Sequence, residues 1–242
     1  MSGHSHWATT KRDKGVKDAA RGKLFSKLGR SISVAAKSGD DPDSNSKLRF
    51  AIEAARAVNM PKDNIERAIA KGSKQDTQLE EVTYEGFGPG GIGVIVEAAT
   101  DNRNRTSQEI KNIFDKGGGN LGGPGSVSFN FDPKGLIVVK KSNRPEEDIL
   151  NLIDLGVEDI EEIDDVIEIY TTPSELGEIK LKIEAKGYKI DTLELVRKPK
   201  NYLYIDDREV AKKAMSLLDE LETSDDVQRV YTNVGIPADL NH

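Results

Sequence analysis

The order of elements in the second half of the chain constrains the fold more than any other feature. Between residues 135 and 198 the apolar patterning follows the order strand, helix, strand, strand, helix, strand. These elements are predicted at 135–141, 145–156, 158–164, 166–172, 174–187 and 190–198. This is the split-βαβ or ferredoxin-like order, in which helices form a layer on an antiparallel sheet. It predicts a self-sufficient α+β domain at 133–200, with Ser174 as the N-cap of its second helix.

The elements on either side of this domain predict a second α+β domain that it interrupts. Strands are predicted at 80–87, 91–100 and 126–131, a helix at 106–118, and a final helix and strand at 207–221 and 226–234. The strand prediction at 126–131 rests on alternating apolar and polar residues. Because the inserted sheet is already complete, we expect the final helix and strand to return to the earlier one. The predicted domain therefore comprises 77–132 and 201–242.

The first 76 residues predict a three-helix bundle that follows a basic tail. One helix runs from about 19 to 37, Leu48, Ile52 and Ala55 mark a second, and 60–72 forms a third that ends at a glycine. On the first helix the apolar residues share one face and four cations share the other. The fold class is therefore α+β: a helical bundle with a basic tail, plus two ferredoxin-like α+β domains, one inserted in the other.

The charge of the chain is strongly asymmetric. Residues 1–74 hold 16 of the 35 Lys/Arg and 8 of the 42 Asp/Glu, which leaves 19 basic and 34 acidic residues for the rest. We call residues 1–74 the basic head and residues 75–242 the acidic body. This separation of charge indicates a polyanion-binding segment in the basic head, since phosphate contacts are made chiefly by Lys and Arg. Trp7 and the two nearby histidines add groups that stack on or hydrogen-bond to bases. The predicted nucleic-acid contacts are His4, His6, Trp7, Lys11, Arg12, Lys14, Lys17, Arg21, Lys23, Lys27, Arg30 and Lys37. The alternative is a solvated amphipathic helix with a disordered tail.

Several other function classes are disfavoured by the sequence. The chain has no cysteine, and its three histidines lie near the chain ends, where a catalytic histidine is rarely held rigidly. Two glycine runs fit G-x-G-x-x-G, but neither joins a strand to a following helix, so we expect no nucleotide cofactor. The second run lies within GGGNLGGPGSV at 117–127, and this segment is interpreted as a flexible loop that makes contacts or simply links two elements.

The acidic cluster at 158–165 is interpreted as a solvated strand edge. A metal-dependent enzyme that uses this cluster with His4 and His6 stays a minor alternative, as does a protein scaffold. We expect no catalytic residue, no metal and no small-molecule substrate. No stretch resembles a signal peptide or a membrane span, so a cytoplasmic location is expected.

Five ordered motifs together resemble one protein family. They are SGHSHW, NMPKDNIERAIAKG, YEGFGPGGIGVIVEAATDNRNRT, GGGNLGGPGSVSFNF and DDVQRVYTN, and they are similar to those of the YebC/PmpR family. The match departs at the head, where the family usually has lysine at His6 and a run like I-K-H-K-K at 9–13. There this chain has Thr9-Thr10-Lys11-Arg12-Asp13, and Asp13 lowers the positive charge of the run.

This resemblance implies three domains and a DNA-binding transcriptional regulator. A related branch, which includes the mitochondrial translational activator of cytochrome oxidase, implies instead a ribosome-associated translation factor. Such a factor binds ribosomal RNA or tRNA and relieves stalling at proline-rich stretches. Two further segments are predicted as contact loops, with the residues Arg103, Arg105, Gly117, Gly118, Gly119 and Asn120.

Overall fold

A computed structural model describes residues 18–74 and 79–235, with side chains from residue 22 onward. The described α-helices are α1 (Asp18–Ala36), α2 (Ser46–Ala57), α3 (Lys62–Gly72), α4 (Arg103–Lys116), α5 (Pro145–Ile153), α6 (Leu176–Ala185) and α7 (Arg208–Thr223). The strands are β1 (Glu80–Phe87), β2 (Gly93–Thr100), β3 (Asn120–Leu121), β4 (Phe131–Lys140), β5 (Asp159–Ile163), β6 (Val166–Thr171), β7 (Ile190–Pro199), β8 (Leu203–Tyr204), β9 (Val227–Thr232) and β10 (Val234–Gly235). None of these helices is both long enough and apolar enough to cross a membrane.

The chain divides into two compact units. Unit 1 comprises Met1–Phe131 and Pro199–His242, and unit 2 comprises Asp132–Lys198. The α+β class predicted from the sequence is confirmed. The domain boundaries at 76, 132 and 200 stay a prediction, although unit 2 nearly coincides with the predicted insertion.

The helices of the bundle in unit 1 form where local capping and apolar spacing favour them. Asn45 caps α2, since its side chain accepts a hydrogen bond from the backbone N–H of Leu48. Pro61 precedes α3, where a missing N–H donor costs nothing. The three helices enclose an apolar core of Ile32, Ala35, Ala36, Leu48, Ile52, Ala55, Met60, Ile65 and Ala68.

The sheet of unit 1 has the strand order β3-β1-β2-β9. Strand β9 pairs antiparallel with β2, so the chain returns to its earlier sheet after unit 2. Helices α4 and α7 pack on this sheet through fully buried side chains, among them Phe114, Leu217 and Leu218. A separate cluster joins Val34 of α1 to Ala99 of β2, which brings the bundle and the sheet into contact.

The prediction of a strand at 126–131 is wrong. Residues Ser128–Asn130 form a 3-10 turn, and β4 begins only at Phe131. The backbone N–H groups of Val127 and Ser128 donate to the carboxylate of Glu85, so they are not available to a strand ladder. A long-range acceptor therefore overrides the local alternation of apolar residues.

Two predicted helix starts also differ from the structure. Helix α4 begins three residues earlier than expected because Asn102 caps it, accepting from the N–H of Arg105. Helix α6 begins at Leu176, and Ser174 is not its cap. The Ser174 hydroxyl instead lies 3.0 Å from the hydroxyl of Thr172.

Unit 2 has a four-stranded sheet in the order β5-β6-β4-β7. When the four strands are numbered 1 to 4 along the chain, their order across the sheet is 2-3-1-4. Strand β6 pairs antiparallel with both β4 and β5. Ile137, Ile167 and Ile169 of the sheet and Leu176 and Ile183 of α6 are all fully buried. This arrangement is the ferredoxin-like one that the element order predicts.

Candidate nucleic-acid interface

Helix α1 places cations on the C-terminal end of α7. Lys23 Nζ donates to the carbonyl oxygen of Thr223 at 2.5 Å, and Lys27 Nζ donates to that of Glu222 at 2.5 Å. The last carbonyl groups of a helix lack intrahelical partners and carry partial negative charge. The two ammonium groups therefore satisfy acceptors that would otherwise need water, and they dock α1 on this helix end.

Asp226, which follows α7 closely, joins three elements of unit 1. Its side chain is 6% exposed and accepts hydrogen bonds from Arg30 Nη1 at 2.5 Å, Arg105 Nη2 at 2.8 Å and Thr106 Oγ1 at 2.6 Å. Burial alone would raise the pKa of Asp226, but the bonds from Arg105, Thr106 and Arg30 hold that pKa at about 2. Arg30 also donates to the carbonyl of Asp225 at 2.8 Å. One carboxylate thus ties the bundle to α4 and to the sheet.

These contacts correct the expectation that the cationic face of α1 is simply open to a polyanion. Lys23, Lys27 and Arg30 already donate to groups of the same chain, and Lys37 Nζ donates to the carbonyl of Leu79 at 2.8 Å. The Lys23 side chain is still about half exposed. Contact of these four residues with nucleic acid stays a prediction, but the structure gives each of them a role in holding α1 in place.

The other predicted contacts of the basic head lie outside the described side chains. They are His4, His6, Trp7, Lys11, Arg12, Lys14, Lys17 and Arg21. In the chain they directly precede, or begin, the docked helix. Their role in binding stays a prediction.

The two predicted arginines of the α4 region differ in their surroundings. Arg105 lies between the carboxylates of Asp226 and Asp101, at 2.8 Å and 2.9 Å. The hydrogen bond to Asp226, and to a lesser extent that to Asp101, raises the pKa of the Arg105 guanidinium above its usual value. Arg103 is exposed, and its backbone carbonyl accepts a hydrogen bond from the Tyr84 hydroxyl at 3.4 Å. Arg105 thus has a structural role and Arg103 presents its charge at the surface, and contact of either residue with nucleic acid stays a prediction.

The glycine run at 117–120 is not the flexible loop that the sequence predicts. A Cβ added at Gly119 would lie 2.4 Å from the carbonyl oxygen of Phe87, so only glycine fits without a backbone shift. Asn120 then pairs with Phe87 at the start of β3. Gly118 has φ of 76°, a conformation that side chains disfavour. The run is a packed turn in which Gly118 and Asn120 are exposed.

The following segment, residues 122–128, is fixed by one buried carboxylate. Glu85 Oε1 accepts from the N–H of Gly125 at 2.9 Å, and Oε2 accepts from those of Val127 and Ser128 at 2.7 Å and 2.8 Å. Burial alone would raise the pKa of Glu85, but these backbone donors outweigh it and lower that pKa below its usual value. The loop is therefore clamped to β1.

Sequence reasoning missed Phe129 as a functional candidate. The alternation at 126–131 places Val127, Phe129 and Phe131 on one face of a strand. In the structure Val127 and Phe131 are buried against Ile95, whereas Phe129 is 71% exposed. The Gly-Pro-Gly turn just before this stretch is the one sequence signal against a continuous strand.

Lysine side chains form ion pairs with the acidic cluster at 158–165 in unit 2. Strand β5 lies at the edge of its sheet, and three lysine ammonium groups reach its carboxylates or those beside it. Lys134, Lys198 and Lys141 lie 2.8 Å from Glu158, Glu161 and Glu162 respectively. Within 18–74 and 79–235 no group of three or more His, Asp or Glu side chains is arranged to hold a metal ion. His4, His6 and His242 lie outside those ranges.

Comparisons with known proteins cover nearly the whole chain. Residues 5–75 match the family model of the TACO1/YebC protein N-terminal domain, and residues 79–234 match that of the TACO1/YebC second and third domain. The chain belongs to the TACO1/YebC family. The resemblance seen in the sequence motifs is thereby confirmed.

Relatives and a solved structure agree with this assignment. A protein of Thermoanaerobacter pseudethanolicus is 49% identical over 241 residues and one of Dictyoglomus turgidum is 46% identical over 245 residues. Each alignment covers 98% or more of this TACO1/YebC chain and 98% of the relative, and both relatives are named probable transcriptional regulatory protein. The crystal structure of a conserved hypothetical protein from Aquifex aeolicus is 47% identical, with a TM-score of 0.90 and coverage of 98% of this chain and 100% of that one.

Proposed function

We propose that this TACO1/YebC protein is a non-enzymatic cytoplasmic regulator that binds nucleic acid through its basic head. The observation that carries the proposal is the charge separation, with 16 basic and 8 acidic residues in 1–74 against 19 and 34 in the rest. A phosphate polymer is attracted to the first part and repelled by the remainder, which restricts contact to one region. The name of the relatives supports a regulatory role.

The docking of α1 supports a specific division of labour among the cations. Lys23, Lys27 and Arg30 hold the helix against α7 and Asp226. The cations that precede the helix in the chain, Lys11, Arg12, Lys14 and Lys17, are then the principal phosphate contacts. Because α1 is docked on α7 and Asp226, the segment that carries these four cations is joined to unit 1 at a fixed position.

Two forms of this function differ in the target. The first is a regulator of transcription that binds duplex DNA, which the name of the relatives supports. The second is a ribosome-associated translation factor that binds ribosomal RNA or tRNA and relieves stalling at proline-rich stretches. Exposed Phe129 favours the second form, since aromatic side chains contact bases that are not stacked in a duplex.

A salt titration of binding tests the proposal. Full-length protein is measured on duplex DNA, on single-stranded RNA and by co-sedimentation with ribosomes, each over a range of salt concentrations. Substitution of Lys11, Arg12, Lys14 and Lys17 by Gln removes four cations. On duplex DNA it should make the slope of log K against log salt shallower by roughly 3 to 4, at about 0.9 per phosphate contact.

A matched control variant carries the same change of charge in unit 2. It replaces Lys180, Lys182, Lys186 and Lys189 by Gln, and it should leave the slope unchanged. If the first variant keeps the wild-type slope, or if both variants change it equally, the basic head is not the binding segment.

A further inference from the structure

Phe129 is the most exposed large apolar side chain of the described residues, at 71%. Its neighbours in the 3-10 turn are Ser128 and Asn130, and the loop before it has an exposed tip of glycine and proline at 123–125. An exposed phenylalanine between polar chain neighbours contributes little to the core. Departures of this kind from the local apolar pattern are expected at functional positions.

The backbone that carries Phe129 is held on both sides. Before it, Glu85 binds the N–H groups of Val127 and Ser128. At and after it, Lys200 Nζ donates to the Phe129 carbonyl at 2.9 Å, and the Lys200 N–H donates to the Asn130 carbonyl at 2.9 Å. The ring is therefore presented by a fixed turn, and little conformational freedom is lost when a ligand packs on it.

We propose that Phe129 is a stacking platform for an unpaired base of single-stranded RNA. This inference rests on the proposed function and names the part of the nucleic acid that the loop recognises. An exposed ring offers a π-face to any base, whereas the faces of duplex bases are already stacked on their neighbours. The Lys200 ammonium, which donates to the carbonyl of the same residue, places a positive charge beside the turn that suits the phosphate of a bound nucleotide.

An apolar protein partner is the other class of ligand for an exposed aromatic ring. A protein hot spot lies at the centre of a desolvated patch. Phe129 is instead flanked in the chain by Ser128 and Asn130, both polar, and the carbonyl of Phe129 is bound to a cation. These surroundings fit a base and its phosphate better than an apolar groove.

The test compares three substitutions at one position in the full chain. Phe129→Ala removes the ring, Phe129→Leu keeps apolar volume without a π-face, and Phe129→Trp enlarges the π-face. The probes are a labelled U-rich single-stranded RNA of about 12 nucleotides, within the usual site size, and a DNA duplex of equal length. Leu181→Ala, at an exposed leucine on α6, is the matched control.

Phe129→Ala should weaken RNA binding by roughly 5- to 150-fold, the range found when a stacked aromatic side chain is removed. Its binding to the duplex should change less than twofold, and the salt slope on RNA should stay as in the wild type, because the lost contact is uncharged. Phe129→Trp should bind RNA at least as tightly as the wild type, and Phe129→Leu should bind as weakly as Phe129→Ala. Leu181→Ala should match the wild type on both probes.

Three outcomes overturn the inference. If Phe129→Ala binds RNA within twofold of the wild type, there is no stacking contact, and the proposed function stands if the salt slope is intact. If Phe129→Leu binds RNA as tightly as the wild type, the contact needs apolar volume and not a π-face. Apolar volume is what an apolar protein partner would recognise. If the wild type binds neither probe at any salt concentration, the proposed function and this inference fail together. Because Phe129 is exposed, the unfolding midpoint of every variant should equal that of the wild type, so a loss of binding cannot be ascribed to misfolding.

Discussion

Replacing Asp226 by Asn should destabilise unit 1 by about 2 to 3 kcal/mol near neutral pH. The carboxylate has a pKa of about 2 in the folded protein against a usual value of 3.8. At about 1.36 kcal/mol for each unit of pKa, this difference corresponds to about 2 to 3 kcal/mol. The Arg30 and Arg105 side chains are 33% and 52% exposed, so both rehydrate when the charge is lost. The larger cost of about 3 to 5 kcal/mol for breaking a fully buried pair is therefore not reached.

The stabilisation should also depend on pH in a defined direction. Because the folded pKa of Asp226 is lowered, its contribution is complete well above pH 3.8 and is lost as the pH falls from there through about 2. At about pH 3.5 roughly a quarter of the contribution should already be lost. The difference in unfolding free energy between wild type and Asp226→Asn should narrow by that amount.

Urea denaturation followed by circular dichroism measures both effects. The matched control is Asp225→Asn, whose side chain is 76% exposed and whose carboxylate lies 3.5 Å from Lys23 Nζ. An exposed pair of this kind contributes at most about 1 kcal/mol, so this variant should remain close to the wild type. If the two variants lose equal stability, or if the gap between wild type and Asp226→Asn stays constant from pH 7 to 3.5, Asp226 does not hold the bundle to the sheet.

Two further predictions concern the loops next to β1. Glu85→Gln should lower stability by about 1 to 3 kcal/mol, because an amide oxygen cannot accept all three backbone N–H groups that the carboxylate binds. Hydrogen exchange measured by mass spectrometry should then be faster at Val127 and Ser128, and unchanged exchange there would show that the clamp is not formed. Gly119→Ala should cost about 1 to 3 kcal/mol, since its Cβ would meet the Phe87 carbonyl at 2.4 Å. Gly123→Ala, which has open space, should stay within about 0.5 kcal/mol of the wild type in thermal unfolding, and equal losses would contradict the packing.

Local patterns in the sequence were sufficient for most of the fold. The alternation of apolar residues at 80–87 and the helical spacing at 207–221 reflect contacts that each element makes with a single core. The stretch at 126–131 could not be predicted in the same way. Its conformation depends on Glu85, about 40 residues earlier, and no local signal shows that this side chain takes the backbone N–H groups of the stretch.

The positive charge of the candidate interface could be predicted from the sequence, but the groups that its cations contact could not. The density of lysine and arginine before residue 38 is visible in the sequence, and so is the cationic face of α1. The acceptors of Lys23, Lys27 and Arg30 lie about 195 to 200 residues away in the chain and are mostly backbone carbonyls. Side-chain patterning carries no information about such acceptors, so the docking of α1 on α7 emerges only from the structure.

Ultraviolet crosslinking in growing cells, followed by mass spectrometry of nucleotide-bearing peptides, tests whether unit 1 holds nucleic acid through its basic head. The expected adducts lie within residues 1–37, with DNA or RNA as the attached nucleic acid, and on the peptide 117–134, which contains Phe129, with RNA attached. Adducts confined to unit 2, or none from a sample in which other nucleic-acid-binding proteins crosslink efficiently, would contradict the assignment.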